Sequence, residues 1–437
     1  MSDQNLYGTM VFLVVLLGWA CVIQWLLRHF RRTRPDLAVG RPLLAALTLR
    51  VGACLLLAFT TIAQSLRGGD ELAFLDQSRI LADSALTSDA FVEALLHKSY
   101  LAVFAVQMKL LDATELALRM TQIAFSVIGI MFLVVALHDL AGPRAARLAA
   151  WFAALEPANV FFSSLLHKEP GLYLAEGLMA YGSVQMWRSR SLRPGLVPIA
   201  VGGYLAVATR SYAGYFLLAG AFLVALHAAF RAAKVSALRS FVILTAVIVL
   251  GVIVFPKVDS ATSDQELSKR LQGSQNTNAQ DSSNLALERV DFSTREGVVR
   301  NLPRRVRDVV LRPYPWQIAN ASQRLGVLGS LAALATLVML VVGVRRRWGT
   351  VMDRAGPLVY LGGMLLIAYA LSAGNAGTAF RYRTHVVLIA LSAVAALWPV
   401  RRSRAEPLTD PDPGYHAAER PVPAYSRSPC AGGGFTR

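Results

Sequence analysis

The sequence predicts an all-α polytopic membrane protein that crosses a bilayer about eleven times. Three observations carry this. Of 437 residues, 55% are hydrophobic and 16% charged. Apolar runs of roughly the 17 to 25 residues that a helical crossing needs recur along the chain, and arginine clusters follow them at alternate ends. The runs are long and do not alternate polar with apolar, which favours helices over a closed barrel as the way to satisfy backbone amides in hydrocarbon.

The first run, "YGTMVFLVVLLGWACVIQWLL" at 7–27, has no basic segment before it and no small-residue cleavage site after it, so it is expected to remain as a helix. Further spans are expected near 43–65, 117–138, 145–162, 171–187, 195–209, 212–229, 239–255, 324–344, 356–373 and 384–399. Threading them alternately puts the basic stretches 28–36, 142–147, 187–194, 230–239, 344–354 and 401–404 on one side, which the positive-inside rule makes the cytoplasm. The expected location is a plasma or inner cell membrane, with the N-terminus outside and the C-terminus cytoplasmic.

This threading divides the chain into an N-terminal span with a basic loop (1–42), a transmembrane core (43–255) whose first outer loop is 66–116, a long outer loop (256–322), C-terminal spans (323–400) and a Pro-, Gly- and Ser-rich tail expected to be disordered (401–437). Within the first outer loop, "FVEALLHKSYLAVFAVQMKLL" (91–111) is open to two readings, a span or an interfacial helix. The second preserves the arginine assignment downstream. The long outer loop is polar in its first half. Its second half, "REGVVRNLPRRVRDVVLRPYPW", sets Val299, Leu302 and Val306 at helical spacing with Arg300, Arg304 and Arg307 between them, a basic amphipathic helix started or interrupted near Pro303.

A net charge of +17 is explained by arginine loops facing anionic lipid, and nucleic acid is not expected as a partner. Of the three cysteines, Cys21 and Cys54 fall in spans and Cys430 in the tail, so they build no disulfide framework.

The chemistry is expected at the outer face. In "SLRGGDELAFLDQSR" (65–79), Asp70, Glu71 and Asp76 follow the end of an apolar span. A carboxylate there sits in a lower dielectric than bulk water and suits a general base that deprotonates an attacking hydroxyl. For Glu71 and Asp76 the simpler reading is capping of the helix that begins there; for Asp70 capping and catalysis stand level. Arg210 in "ATRSYAGY", Arg312 in "LRPYPW", and Arg381, Arg383 and His385 in "AFRYRTH" fall at outer ends of spans, where arginine forks bind phosphate oxygens or simply snorkel. Arg50 is expected to snorkel toward the inner end of its span. No zinc spacing, phosphate-binding glycine loop or nucleophile elbow is present.

The outer "GDE" followed by an aromatic residue, the loop helix, the span beginning "LALRMTQIAFSVIGI", the short "GPRAARLAAWFAALEP" and the acidic turn "SSLLHKEPG" together resemble the N-terminal half of the GT-C superfamily, the polyprenyl-phosphate-sugar-dependent membrane glycosyltransferases. The likeness covers roughly residues 43–190. It implies a GT-C-like bundle with outer-face loop helices, Asp70 as catalytic base, Glu169 as the acidic residue of the second loop, and Arg119 near the donor phosphate. Where many members carry a tyrosine shortly after the aspartate, this chain has Phe74, and its second loop offers Lys168–Glu169 in place of two carboxylates. Lysine can supply the positive charge itself, so no cofactor or metal is required, although carboxylates from two loops sharing a divalent cation stays open.

The resulting expectation is transfer of a sugar from a polyprenyl-phosphate donor to a cell-envelope or lipid-linked glycan acceptor. Catalytic candidates are Asp70, Glu71 and Glu169; Lys168, Arg119, Arg210, Arg312, Arg381, Arg383 and His385 would bind substrate. A polymerase or ligase of lipid-linked oligosaccharides would depend more on the arginines than on Asp70. A flippase for lipid-linked glycans would place its charges near the midplane.

Overall fold

The computed structural model describes residues 3–60, 69–235, 239, 287, 290, 295–317 and 321–398. Met1–Trp398 belongs to one compact unit. The expected span at 239–255, the polar half of the long loop and the tail from 401 lie outside the described residues.

Among the described residues the chain is all helix: α1 (Asp3–Thr33), α2 (Gly40–Phe59), α3 (Gly69–Asp83), α4 (Asp89–His97), α5 (Ser99–Leu111), α6 (Glu115–Ala141), α7 (Pro143–Leu155), α8 (Pro157–Ser163), α9 (Glu169–Ser189), α10 (Arg193–Thr209), α11 (Ser211–Ala232), α12 (Arg295–Leu311), α13 (Ala321–Arg346), α14 (Val351–Ser372) and α15 (Ala376–Leu397). Seven of the described helices are long and apolar enough to cross a membrane: α1, α2, α6, α11, α13, α14 and α15. The fold is thus a multi-pass helical membrane bundle. α6 and α15 are its most enclosed members, whereas α1 and α13 bury only 22% and 33% of their apolar windows and form its flanks.

Ion pairs and ring contacts fix which helix termini share an end. Arg34, just past α1, clasps both carboxylate oxygens of Asp139 near the end of α6, and Arg188 of α9 lies 3.5 Å from the same group. Arg231 of α11 stacks over Trp187 and pairs with Asp353 of α14, and Arg346 of α13 lies over Trp398. The described arginine clusters at 28–36, 187–194, 230–239 and 344–354 therefore gather at one end.

The run expected as one span at 145–162 is two helices. Pro157 opens α8 at its first turn, and the Glu156 carboxylate caps it by accepting from the amides of Ala158 and Asn159. The closing carbonyls of α7 need donors, and Arg50 supplies them: its Nη1 reaches Ala154 O (3.4 Å) and its Nη2 reaches Ala153 O (3.1 Å) and the Asn159 side chain. Arg50 is wholly buried and does not snorkel, because orphan carbonyls inside the bundle are better acceptors than a distant headgroup.

Segment 91–111 is likewise broken, into α4 of nine residues and α5 of thirteen, each short of the roughly 20 a crossing requires. α4 and α5 lie against the ends of the crossing helices: Tyr204 OH of α10 donates to Leu95 O (2.6 Å), and Gln107 of α5 bonds Thr121 of α6 (2.7 Å). α12 continues through Pro303, which sits on its exposed side, where water can meet the backbone carbonyl that the missing amide hydrogen leaves free.

α9 is packed backbone to backbone on two neighbours. A Cβ at Gly177 would lie 2.1 Å from Gly129 O of α6, and one at Gly195 of α10 would lie 2.2 Å from Gly182 O of α9. Small residues permit this approach, which replaces the hydrophobic driving force that lipid cannot provide. It sets the height and rotation of α9, and with them the side chains at its first two turns.

Candidate functional site

The end opposite the arginine clusters brings together loops that are far apart in sequence. α3 begins at Gly69, so the Asp70 backbone lies in its first turn; the Asp70 side chain is outside the described residues. Glu71 is almost fully buried, and it does not serve α3 as the capping reading expects. Its carboxylate meets Arg119 of α6 at 2.9 Å and accepts from the amide of Leu166 at 2.9 Å. Arg119 is held from one turn below by Glu115. Asp76 stays at the surface beside Arg79.

The turn 164–168 that Glu71 grips is secured elsewhere too. Gln122 donates to His167 O (2.9 Å), and the Lys168 ammonium stands 5.3 Å from the Phe74 ring of α3 and 5.8 Å from the Tyr100 ring of α5. Such cation–π contacts fix the position of the ammonium group. Phe74, which departs from the tyrosine of the GT-C pattern, thus faces the lysine that departs from it as well.

Glu169 opens α9 and is 1% exposed. Arg210, in the extended residue between α10 and α11, donates to it at 3.0 Å and lies 4.6 Å over the Tyr382 ring. Tyr382 in turn stacks on Tyr369 at 4.5 Å and 20°. Arg381 and His385 are within electrostatic reach of Glu169. The Arg210 and Arg381 guanidinium groups therefore act on one carboxylate, and guanidinium forks are able to hold an anion bidentately.

The remaining expected residues have other partners. Arg383 makes four hydrogen bonds inside the protein, to Val310 O, Arg312 O, Gly326 O and Ser330 Oγ. It ties the last carbonyls of α12 to α13 and α15 and is a positioning group, where a phosphate ligand was expected. Arg312 lies 3.5 Å from Asp308 and over the Tyr314 ring. Beside it Arg305 is buried in α12, which lowers its guanidinium to about 10, with Asp308 opposing the shift. His385 is fully buried, 2.9 Å from the Glu176 carboxylate and 4.5 Å from the Tyr173 ring.

Glu176 and Tyr173 were missed because attention to span ends passes over the interior of a run. Glu169, Tyr173 and Glu176 follow at i, i+4 and i+7 along one face of α9, and the Tyr173 hydroxyl lies 2.7 Å from Thr384 Oγ1. The lone carboxylate in "GLYLAEGLMAYGS" was the available signal. No cluster of three or more potential metal ligands occurs among the described residues.

Comparison of the chain with protein-family models, curated proteins and solved structures gives no match.

Proposed function

We propose that the protein is a membrane glycosyltransferase that moves a sugar from a polyprenyl-phosphate donor to a cell-envelope or lipid-linked glycan at the end of the bundle opposite the arginine clusters. The observation that carries this reading is the bond from Leu166 N to Glu71, which joins the first loop, one residue from Asp70, to the Lys168–Glu169 turn. These are the two loops that the sequence likeness marks as catalytic.

In the reaction, the acceptor hydroxyl oxygen attacks the anomeric carbon and its proton passes to Asp70. The bond from that carbon to the phosphate oxygen breaks, and polyprenyl phosphate leaves with the electron pair. Arg119, Lys168, Arg210 and Arg381 stabilise the charge that grows on the leaving phosphate, while Glu169 orients Arg210. Arg312 and Arg383 fix α12 beside the site. In this reading the catalytic end is extracytoplasmic, the chain crosses the inner membrane about eleven times, the N-terminus is outside and the C-terminus cytoplasmic.

The test is Asp70→Asn in purified, folded protein assayed against a panel of polyprenyl-phosphate sugars. Loss of a general base lowers turnover by about 10² to 10⁴-fold; unchanged turnover refutes the mechanism. The buried Glu176–His385 pair favours one other reading, a transporter of lipid-linked glycans. It predicts that labelled lipid-linked glycan changes leaflet with no new glycosidic bond.

A further inference from the structure

Four arginines close α1 and the turn after it, and the structure employs them in two ways. Arg31 Nε donates to Leu37 O at 3.2 Å, and Arg34 is bound to Asp139. Arg28 and Arg32 make no such contact among the described residues. They are exposed, one turn apart on one face of α1, and they edge a shallow, open furrow along that face, lined by side chains of α1 itself.

The furrow changes character along its length. Leu17, Ala20 and Cys21 line its upper part; Gln24 and Trp25 follow; Arg28, His29 and Arg32 line its foot. From Leu17 to Arg28 the helix rises about 16 Å, close to the depth of one leaflet of a hydrocarbon core about 30 Å thick. Trp25, 63% exposed, stacks on His29 at 5.9 Å, the place and company of an interfacial aromatic. α1 is also the least enclosed of the crossing helices, so this face looks onto lipid.

We propose that the furrow binds one anionic phospholipid of the leaflet at the arginine-rich end, with an acyl chain along Leu17 and Cys21 and the phosphate between Arg28 and Arg32. Charge complementarity selects this occupant. Two guanidinium groups with no acceptor of their own match a head group of net negative charge, and a zwitterionic head leaves them in excess. A second copy of the chain fits poorly, because a two-fold contact through this face sets arginine against arginine.

The experiment uses the full chain in lipid nanodiscs of phosphatidylcholine with a minor fraction of phosphatidylglycerol. Brominated acyl chains are carried by one lipid or the other at equal brominated fraction. The Trp25 contribution to fluorescence quenching is taken as the difference between wild type and Trp25→Phe. Preferential quenching by brominated phosphatidylglycerol, on the order of ten-fold in apparent association, is the expected result. Arg28→Gln with Arg32→Gln should abolish the preference, whereas Arg345→Gln, exposed at the same end but outside the furrow, should leave it intact. Both arginines of the double variant are exposed, so it should keep the wild-type elution volume and helical signal. Equal quenching by the two lipids overturns the proposal. So does absence of quenching by either, the result if another part of the chain or a second copy covers the furrow. The readout needs no sugar donor and stands apart from the glycosyl-transfer reading.

Discussion

The two ends of the bundle handle charge in opposite ways. At the arginine-rich end a single buried acceptor, Asp139, gathers Arg34, Arg188, Gln185 and His138, and several of these partners reach solvent, with Arg188 55% exposed and Asp36, paired to His138, 58% exposed. At the other end Glu71–Arg119, Glu169–Arg210 and Glu176–His385 are withdrawn almost completely from solvent. Charges on the first end keep part of their hydration and carry little desolvation cost. Those at the second are expensive to bury, and apolar residues of similar size would often be as stable. That cost agrees with the placement of the proposed chemistry at the second end.

Substitutions can break or sharpen this contrast. The largest loss of stability is expected for Arg50→Ala, which orphans the carbonyls of Ala153 and Ala154 and the Asn159 side chain; unfolding in mixed micelles should shift by more than about 4 kcal/mol. Glu169→Ala should destabilise by about 3 to 5 kcal/mol, because it strands the Arg210 guanidinium; the double variant Glu169→Ala, Arg210→Met should recover a large part of that loss in the same assay. Asp139→Asn, at the half-open end, should lower stability by about 1 to 2 kcal/mol, with a loss that shrinks as salt is added. Asp76→Asn removes an exposed pair with Arg79 and should change stability by less than about 0.5 kcal/mol. Equal effects for Glu169 and Asp76 would erase the distinction between buried and exposed pairs.

The coarse fold was legible because lipid imposes length and polarity on a crossing helix. The runs at 7–27 and 117–138 lie within α1 and α6, while the run at 384–399 overlaps α15, which begins earlier, at Ala376, and takes Arg381 and Arg383 from the expected loop into the helix. What escaped was set by distant neighbours. Arg50 looks from sequence like a snorkelling residue, since its acceptors lie about a hundred positions away in α7 and α8. Arg383 reads as a phosphate ligand until α12 and α13 present their carbonyls to it. Glu71 reads as a cap until Arg119 and the 164–168 turn arrive. In each case the residue type announced a need for a partner, and only the packed bundle identified it.

The glycine seams of α9 carry a consequence for motion. With no side chain between it and α6 at Gly129, or α10 at Gly182, α9 has no room to slide or roll, and the stripe Glu169, Tyr173, Glu176 behaves as a fixed rail. Any opening that admits the lipid-linked donor of the proposed function must come from pieces that are not so keyed. Among the short helices at that end, α3 and α5 join the apolar core through Phe74, Leu75, Phe104 and Ala105, whereas α4 buries only Phe91 and is the part freest to swing. A label pair spanning α4 and α9 should therefore report far larger distance changes on substrate addition than one spanning α6 and α9.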